Sequence, residues 1–487
     1  MDVLLKDIRS ALGRGEGIKT MLLDEFTKKA LSPLISHSEL LSYDFFLFEM
    51  IARERPAIAV SCVTVIAKAS LPLLLKELAA PKYREYFLFV TNEMSNEEIS
   101  QVADKDIHGV VREFQELYIG GVPMDTGLVL LSEDTGLRCA QQLVCALKGF
   151  GLVPSVRFQF GSEVSYQTAE VVASAFADQK SCNADLLVVE RAFDLFTPLM
   201  YTWSYQSMAG EYLDYRPGIL HWGENSLCLT SDDLFFEKTK FMDILSATTF
   251  LRDSLKTVKE SRDTIGEYVA TIRQKAKDSE RLIMHLKALS EISKACLAND
   301  LAAEALAETI LGVDSEEVSA TNNYSEEQKI KLALISYLSE TIPGKHKLPN
   351  IFRSDKKPDQ NRQSMYRAEI EQFKKQFVNS KVDLRRPTYE KNTNRKLGYI
   401  PVICALASKL KAGTLSNSAY PSLKSSTDKK KALVVFISGG ATFLEHRSLQ
   451  LWFAQKYPDQ ICIIISDRII RSSDILSSII HPKKDSD

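Results

Sequence analysis

The chain has 487 residues, of which 45% are hydrophobic and 25% are charged, and its formal net charge at pH 7 is −2. At roughly 150 residues per domain, this length predicts about three domains with substantial buried cores. No apolar stretch approaches the roughly 20 residues that span a bilayer, and the opening residues, DVLLKDIRSALG, lack the features of a signal or transit peptide. The eight cysteines are scattered without a C-x-x-C pair, which is typical of reduced thiols in the cytosol. We therefore expect a cytoplasmic protein whose membrane contacts are peripheral.

The first part of the chain alternates the patterns of strands and helices. After a first helix, TMLLD is predicted to form a short buried strand, SCVTVIAKA a second core strand and YREYFLFVTN a third. Between the first two strands, LISHSELLSYDFFLFEMI mixes helix and strand signals. Ser95 followed by Glu98 is a capping box, which predicts the start of the next helix. This alternation predicts βαβ units and a parallel sheet.

The same order repeats from about residue 131. RCAQQLVCALKGFG and AEVVASAFADQK are predicted to be helices, and ADLLVVERAFD a buried strand. Beyond about residue 230 the strand pattern stops, and nearly all of the chain from Lys238 to Gly312 favours helix and contains no proline. A serine- and lysine-rich linker then leads into VVFISGGATFLEHRSLQ, which restores the α/β pattern. We expect these last strands to return to an earlier sheet.

Basic residues are concentrated between Gly344 and Lys396. This segment contains fifteen Lys or Arg against six Asp or Glu, a local balance of +9, so the rest of the chain carries −11. We expect exposed loops around a helix, MYRAEIEQFKKQF. An ordinary solvated surface is the first interpretation, and contact with acidic lipid or an acidic protein surface is the second. Nucleic acid is not expected as a partner, because one basic region in an acidic chain is a weak footprint. The membrane or protein contact would involve Lys356, Lys357, Arg385 and Arg386.

Two glycine-containing stretches superficially resemble phosphate-binding loops. In VVFISGGATF a strand passes through Gly439-Gly440 into a helix, a geometry that can bind anions. No phosphate-binding sequence motif is present, and the alternative is a tight strand-to-helix turn. LGRGEGIKT has its helix before it and its strand after it, the reverse of a phosphate loop. Because no histidine pair has metal-ligand spacing and no G-x-S-x-G motif marks a nucleophile, the sequence favours a binding protein over an enzyme, with no cofactor, no metal and no catalytic residue.

Two stretches resemble the Sec/Munc (SM) family of syntaxin-binding proteins. In ADLLVVERAFDLFTPLMYTWSYQSMAGEYL the strand ends in Glu190-Arg191 and is followed by Phe193-Asp194, Pro198 and an aromatic-Gln-x-Met run. VVFISGGATFLEHRSLQ is similar to the family's C-terminal strand, Gly-Gly turn and Glu-x-Arg helix, with Glu445 and Arg447 in place. In that setting the two glycines belong to the scaffold and bind no nucleotide. Further blocks follow in the family's order, so the resemblance covers nearly the whole chain.

The resemblance implies an α/β plus α fold, a three-domain arch with two parallel-sheet α/β domains and a mainly helical third domain. The first α/β domain is expected at residues 1–128, the second at residues 129–228 together with 430–487, and the helical domain, with a helical hairpin, at residues 229–429. Two features depart from the family: ATIRQKAKDS lacks the hinge proline often found in the hairpin, and IIISDRII replaces a glycine-containing strand end. HSELLSYDFFLFEMI and ISGGATF favour the endosomal, vacuolar-sorting branch over the plasma-membrane branch.

The function implied by the resemblance is regulation of SNARE assembly in membrane fusion, without catalysis. The expected partners are a syntaxin-type SNARE and the assembled SNARE complex. On its own the chain is expected to be a monomer that associates peripherally with endosomal, Golgi or plasma membranes. Two other classes stay open: a nucleotide-dependent α/β enzyme, and a peripheral membrane adaptor without SNARE contact.

Two SNARE-binding regions follow from the resemblance by matching positions. A pocket for the SNARE's N-terminal peptide would use Ile99, Val111, Phe114 and Glu116. A cleft between the first and third domains would use Asp24, Arg53 and Arg55. Core packing is the alternative role for the pocket residues, above all for Ile99 and Val111. Ordinary solvated charge is the alternative role for Arg53 and Arg55.

Overall fold

The computed structural model describes residues 2–131, 136–229, 233–260, 269–298, 325–340, 388–389 and 399–480. The basic segment lies almost entirely outside these ranges, and so do its four named residues, Lys356, Lys357, Arg385 and Arg386. Within the described ranges, no helix combines the length and apolar character that crossing a bilayer requires.

Residues 2–116 contain a five-stranded parallel sheet covered on both faces. Its strands are β1 (Lys19–Leu23), β2 (Phe45–Met50), β3 (Ile58–Ile66), β4 (Tyr83–Val90) and β5 (Val111–Glu116), in the spatial order β2-β1-β3-β4-β5. The helices of this part are α1 (Asp2–Leu12), α2 (Glu25–Leu31), α3 (His37–Ser42), α4 (Leu71–Ala79) and α5 (Asn96–Lys105). Met21 and Leu23 face one apolar cluster and Leu22 the other, as alternation along a strand requires. The predicted strands and parallel sheet are confirmed, and the predicted capping box of Ser95 and Glu98 starts α5.

A second sheet of seven strands combines two separate parts of the chain. The remaining strands are, in chain order, β6 (Val122–Asp125), β7 (Leu128–Leu130), β8 (Pro154–Phe158), β9 (Ala184–Glu190), β10 (Asp214–Arg216), β11 (Ile219–Trp222), β12 (Asn225–Cys228), β13 (Thr388–Tyr389), β14 (Tyr399–Ile400), β15 (Ser422–Lys424), β16 (Ala432–Ser438) and β17 (Ile461–Ser466). The order in the sheet is β15-β8-β9-β16-β17-β7-β6. Strands β16 and β17 therefore lie at its centre, which confirms that the last strands return to an earlier sheet. Strand β6 belongs to this sheet, although the predicted first domain extends to residue 128; the domain boundaries themselves stay predictions.

The remaining described helices include a long helical pair. They are α6 (Leu137–Gly149), α7 (Glu163–Ala175), α8 (Tyr205–Tyr212), α9 (Leu234–Thr239), α10 (Ile244–Glu260), α11 (Val269–Ala298), α12 (Glu326–Glu340), α13 (Val402–Lys411), α14 (Phe443–Lys456) and α15 (Ser472–Ile480). Leu251 of α10 and Leu282 of α11 share an apolar cluster with Tyr205 of α8. A small antiparallel sheet, β10-β11-β12, packs against this cluster and was not predicted from the sequence.

Candidate partner-binding sites

The Gly-Gly turn after β16 is occupied by a side chain of the protein itself. The two glycines have φ of +92° and +111°, values that residues with a side chain rarely adopt. The Asp467 Oδ1 atom accepts hydrogen bonds from the backbone N–H groups of Gly439 and Gly440, at 2.9 and 3.0 Å. Asp467 belongs to IIISDRII, the stretch that departs from the family. Because its carboxylate takes both donors, the turn offers them to no phosphate, in agreement with the interpretation of these glycines as scaffold.

The Glu-Arg-x-Phe-Asp signature at the end of β9 also serves the scaffold. The Arg191 guanidinium donates to both carboxylate oxygens of Glu445, at 2.8 and 2.9 Å, and to the carbonyl oxygens of Asp194 and Gly440. Both Arg191 and Glu445 are buried. The guanidinium and the carboxylate match in geometry in such a bidentate ion pair. When the pair is buried, loss of either partner leaves a buried charge unpaired. The signature thus joins β9 to the start of α14.

The predicted peptide-pocket residues come together beside β5. A register shift against β4 makes Arg112 an extra residue, so that Tyr86 pairs with Val111 and Leu88 with Phe114. The bulge therefore puts Val111 and Phe114 on the same face, where both are half-buried against the cluster that contains Val102 of α5. Ile99 lies one turn before Val102 and is 39% exposed. The result is an apolar surface between β5 and α5 that is only partly covered.

Glu116 lies on the same face of β5 and has internal hydrogen-bond partners. Its Oε1 accepts a hydrogen bond from the Met94 backbone N–H at 2.7 Å, and its Oε2 accepts one from the Tyr118 hydroxyl at 2.5 Å. Burial, together with this hydrogen bond, raises the pKa of Tyr118, so the hydroxyl stays a donor. Glu116 consequently joins the loop after β4 to the end of β5 and still contributes negative charge at the edge of the pocket.

The structure gives Asp24 the role of an internal anchor. It is 7% exposed and is the N-cap of α2, where its Oδ1 accepts hydrogen bonds from the backbone N–H and hydroxyl of Thr27. Its Oδ2 accepts hydrogen bonds from the Ala67 N–H at 2.6 Å and the Ser70 hydroxyl at 2.7 Å. Asp24 thus ties the start of α2 to the segment that follows β3.

Arg55 is likewise held inside the first sheet. Its side chain is 3% exposed and donates to Glu77 at 2.5 Å and to the Tyr83 hydroxyl at 3.1 Å. Its Nη1 atom donates to three backbone carbonyls at the end of β2 and in the loop after it, those of Met50, Ile51 and Arg53, at 2.9 to 3.2 Å. Arg55 therefore fixes the course of the loop that carries Arg53, which is exposed.

A cavity of about 620 Å³ lies beside β2, and Arg53 is on its wall. Its apolar floor comes from α1, α2, β1 and β2, and includes Leu31, Ile35 and Phe48. The lining also includes Cys228 of β12 and Arg281 of α11, which come from a later part of the chain. Of the three predicted cleft residues, the structure places only Arg53 on this cavity. Asp24 and Arg55 lie beneath its wall.

Arg281 was missed in the sequence analysis. It stands in a continuous helical pattern and is far along the chain from Arg53, so no local pattern marks it as part of a site. Its Nε atom lies 3.7 Å from Asp233 Oδ2, and its side chain is 32% exposed. In the part of the chain that the structure describes, no cluster of His, Cys, Asp or Glu is arranged to hold a metal ion.

Comparison with known proteins identifies the family. The sequence model of the Sec1 family matches residues 19–478. The chain belongs to the Sec1 family. It is 22% identical to vacuolar protein sorting-associated protein 45 of Saccharomyces cerevisiae, over 88% of each chain. It is 21% identical to the Homo sapiens protein of the same name, over 96% of this chain and 94% of the relative.

Solved structures of this family share the fold over the full length. The SM protein Vps45 in complex with the Qa SNARE Tlg2 (1-310) has a TM-score of 0.81 at 20% identity, and covers 98% of this chain and 97% of its own. The Unc18–syntaxin 1 complex of Monosiga brevicollis has a TM-score of 0.75 at 16% identity, with 98% of each chain covered. Sly1p in complex with an N-terminal peptide of Sed5p has a TM-score of 0.74 at 15% identity, covering 98% of this chain and 93% of its own. The predicted family and the predicted α/β plus α arch are confirmed.

Proposed function

We propose that this Sec1-family protein binds a syntaxin-type SNARE and promotes or proofreads SNARE complex assembly in membrane fusion, without enzymatic activity. The observation that carries the proposal is the family match across residues 19–478. Relatives of the same fold form complexes with Tlg2, with syntaxin 1 and with a peptide of Sed5p, which supports a partner of the same class.

The surface between β5 and α5 is the proposed site for the SNARE's N-terminal peptide. Val111 and Phe114 are half-buried there against the cluster that contains Val102, and Ile99 is exposed on α5 one turn before Val102. An apolar side chain of the peptide placed on Phe114 would remove this surface from water, which is the main source of affinity at a small site. The negative charge of Glu116 favours a basic residue in the same peptide.

The cavity beside β2 is the proposed second SNARE site. Arg53 supplies an exposed positive charge on its wall. Asp24 and Arg55 take part indirectly, because their buried hydrogen bonds hold α2 and the loop after β2 in place. Arg53 would contact the SNARE directly, and Asp24 and Arg55 would hold the wall of the cavity in place.

The trafficking step that we propose is endosomal, in the vacuolar-sorting branch, on the basis of the Vps45 relatives. The basic segment from Gly344 to Lys396 is the proposed peripheral contact with acidic membrane or with the SNARE complex. We further propose that the chain is a monomer in the absence of a partner.

A binding panel tests the proposed function. The purified full chain is incubated with the cytosolic region of each syntaxin-type SNARE from the same cell, with and without its N-terminal peptide, and in parallel with acidic liposomes. We expect one SNARE to bind and to lose affinity when the peptide is deleted. Binding to liposomes but to no SNARE would instead identify a membrane adaptor. A melting temperature raised by ATP or GTP would indicate a nucleotide-binding enzyme, because ligands stabilise the state that they bind.

A further inference from the structure

The cavity beside β2 is lined by two arginines from distant parts of the chain. Arg53 follows β2, and Arg281 belongs to α11. We propose that these two arginines clamp an acidic segment of the SNARE in the cleft. The inference rests on the proposed function and adds to it the chemistry of the segment that is bound and a residue, Arg281, that selects it.

The wall that carries Arg53 is held by hydrogen bonds, and its lining carboxylate is turned inward. Arg55, itself buried, donates to the Arg53 carbonyl at 2.9 Å and so holds the backbone of the loop. Glu49 is the one acidic residue among the described residues that line the cavity. Its carboxylate is turned inward, where it accepts a hydrogen bond from the Tyr83 hydroxyl and lies 3.8 Å from Arg55 Nε. Glu49 is therefore satisfied inside the sheet.

The wall that carries Arg281 is ordered by a buried chain of polar groups. Asp233 is fully buried and accepts a hydrogen bond from the Phe236 N–H at 2.9 Å. His285, one turn after Arg281, lies 3.0 Å from Asp233 Oδ2 through Nε2 and 3.0 Å from the Tyr205 hydroxyl through Nδ1. Asp233 thus has two partners besides Arg281, the Phe236 N–H and the His285 ring. Its Oδ2 atom lies 3.7 Å from Arg281 Nε, which makes a salt bridge. This arrangement orients Arg281 at the surface of α11.

The balance of charge at the cavity selects the partner. Lys28, Arg53 and Arg281 line the cavity with positive charge; Arg281 also forms a salt bridge with the buried Asp233, and the only lining carboxylate in the described residues, Glu49, faces inward. Cations that line one cleft with apolar walls raise the local potential and attract carboxylates. Arginine is also suited to hold a carboxylate with two hydrogen bonds. The fitting occupant is a segment with Asp or Glu toward the two arginines and an apolar side chain toward the floor of the cavity.

The test uses the full chain and a SNARE probe from which the N-terminal peptide is deleted, so that only the cleft contributes. Arg53→Gln and Arg281→Gln are compared with Lys287→Gln, which removes one charge from an exposed position on the same helix outside the cavity lining. We expect each cleft variant to weaken binding by about tenfold, which is within the usual range for a charge pair at an interface. We expect Lys287→Gln to bind as the wild type does. The neutral glutamine leaves Asp233 with its other two partners, so the Arg281 variant should fold, and its melting temperature checks this.

A charge swap then identifies the acidic partner. Each Asp or Glu of the SNARE probe is changed to Lys and tested against Arg281→Glu, and we expect one pair to recover at least part of the lost affinity. If the wild type binds the probe and Arg281→Gln binds it as tightly as Lys287→Gln, the clamp is refuted while the proposed function stands. If the wild-type chain binds none of the SNAREs, with or without their N-terminal peptides, both are refuted.

Discussion

Replacement of Asp24 distinguishes an internal anchor from a partner contact. In Asp24→Ala the start of α2 loses its cap, which typically costs about 1 kcal/mol. The Ala67 N–H, held by Asp24 Oδ2 at 2.6 Å, loses its acceptor as well, and a half-buried donor without a partner costs roughly 1–3 kcal/mol. The free energy of unfolding of the first sheet should therefore fall by about 2–4 kcal/mol. Asp24→Asn keeps one carbonyl oxygen as an acceptor, so its loss should be smaller.

The assay for Asp24 has to be local, because a chain with several cores does not unfold in one step. Hydrogen exchange of the full-length protein, followed by mass spectrometry, reports the opening of residues 25–31 and 67–71 separately. Glu25→Ala is the matched control, since Glu25 is the next residue and is exposed. If Asp24→Ala exchanges no faster in these two segments than Glu25→Ala, the four hydrogen bonds assigned to Asp24 do not stabilise the fold and the reasoning is refuted.

Three further predictions concern the peptide pocket, the signature pair and the basic segment. Phe114→Arg should lower the affinity for the SNARE N-terminal peptide by roughly thirtyfold or more, because an aromatic anchor is replaced by a charge that resists desolvation. Isothermal titration measures the affinity, and an unchanged melting temperature is the control. Unchanged affinity would contradict the assignment of the pocket. Arg191→Met should destabilise the second sheet by about 3–5 kcal/mol, since it leaves Glu445 buried without its partner. Hydrogen exchange of β9 and α14 in the full-length protein measures this, and exchange no faster there than in an exposed control, Arg138→Met, would contradict it. We expect weaker association with acidic liposomes at low salt, and a nearly unchanged melting temperature, when four basic residues are neutralised: Lys356, Lys357, Arg385 and Arg386. Loss of cooperative unfolding in that variant would show that the segment is part of a core.

The sequence by itself determined the local structure and the family. Short apolar runs predicted three of the five strands of the first sheet, and Ser95 with Glu98 predicted the start of α5, because capping depends on residues three positions apart. The signature around Arg191 and the Gly-Gly turn identified the SM resemblance, because a scaffold motif that is buried constrains residue type strongly. These signals lie within short windows of the chain.

Only the tertiary structure decided what the charged residues do. Asp24 and Arg55 look like surface charges in the sequence, yet their hydrogen-bond partners at Ala67, Ser70 and Glu77 lie more than twenty residues away and bury them. The bulge at Arg112 determines that Val111 and Phe114 share a face, and a strand pattern alone would have separated them. Arg281 and Arg53 line one cavity because the fold brings residues of α11 and of the loop after β2 to it, and a charge carries no local signal of the charges that will lie near it.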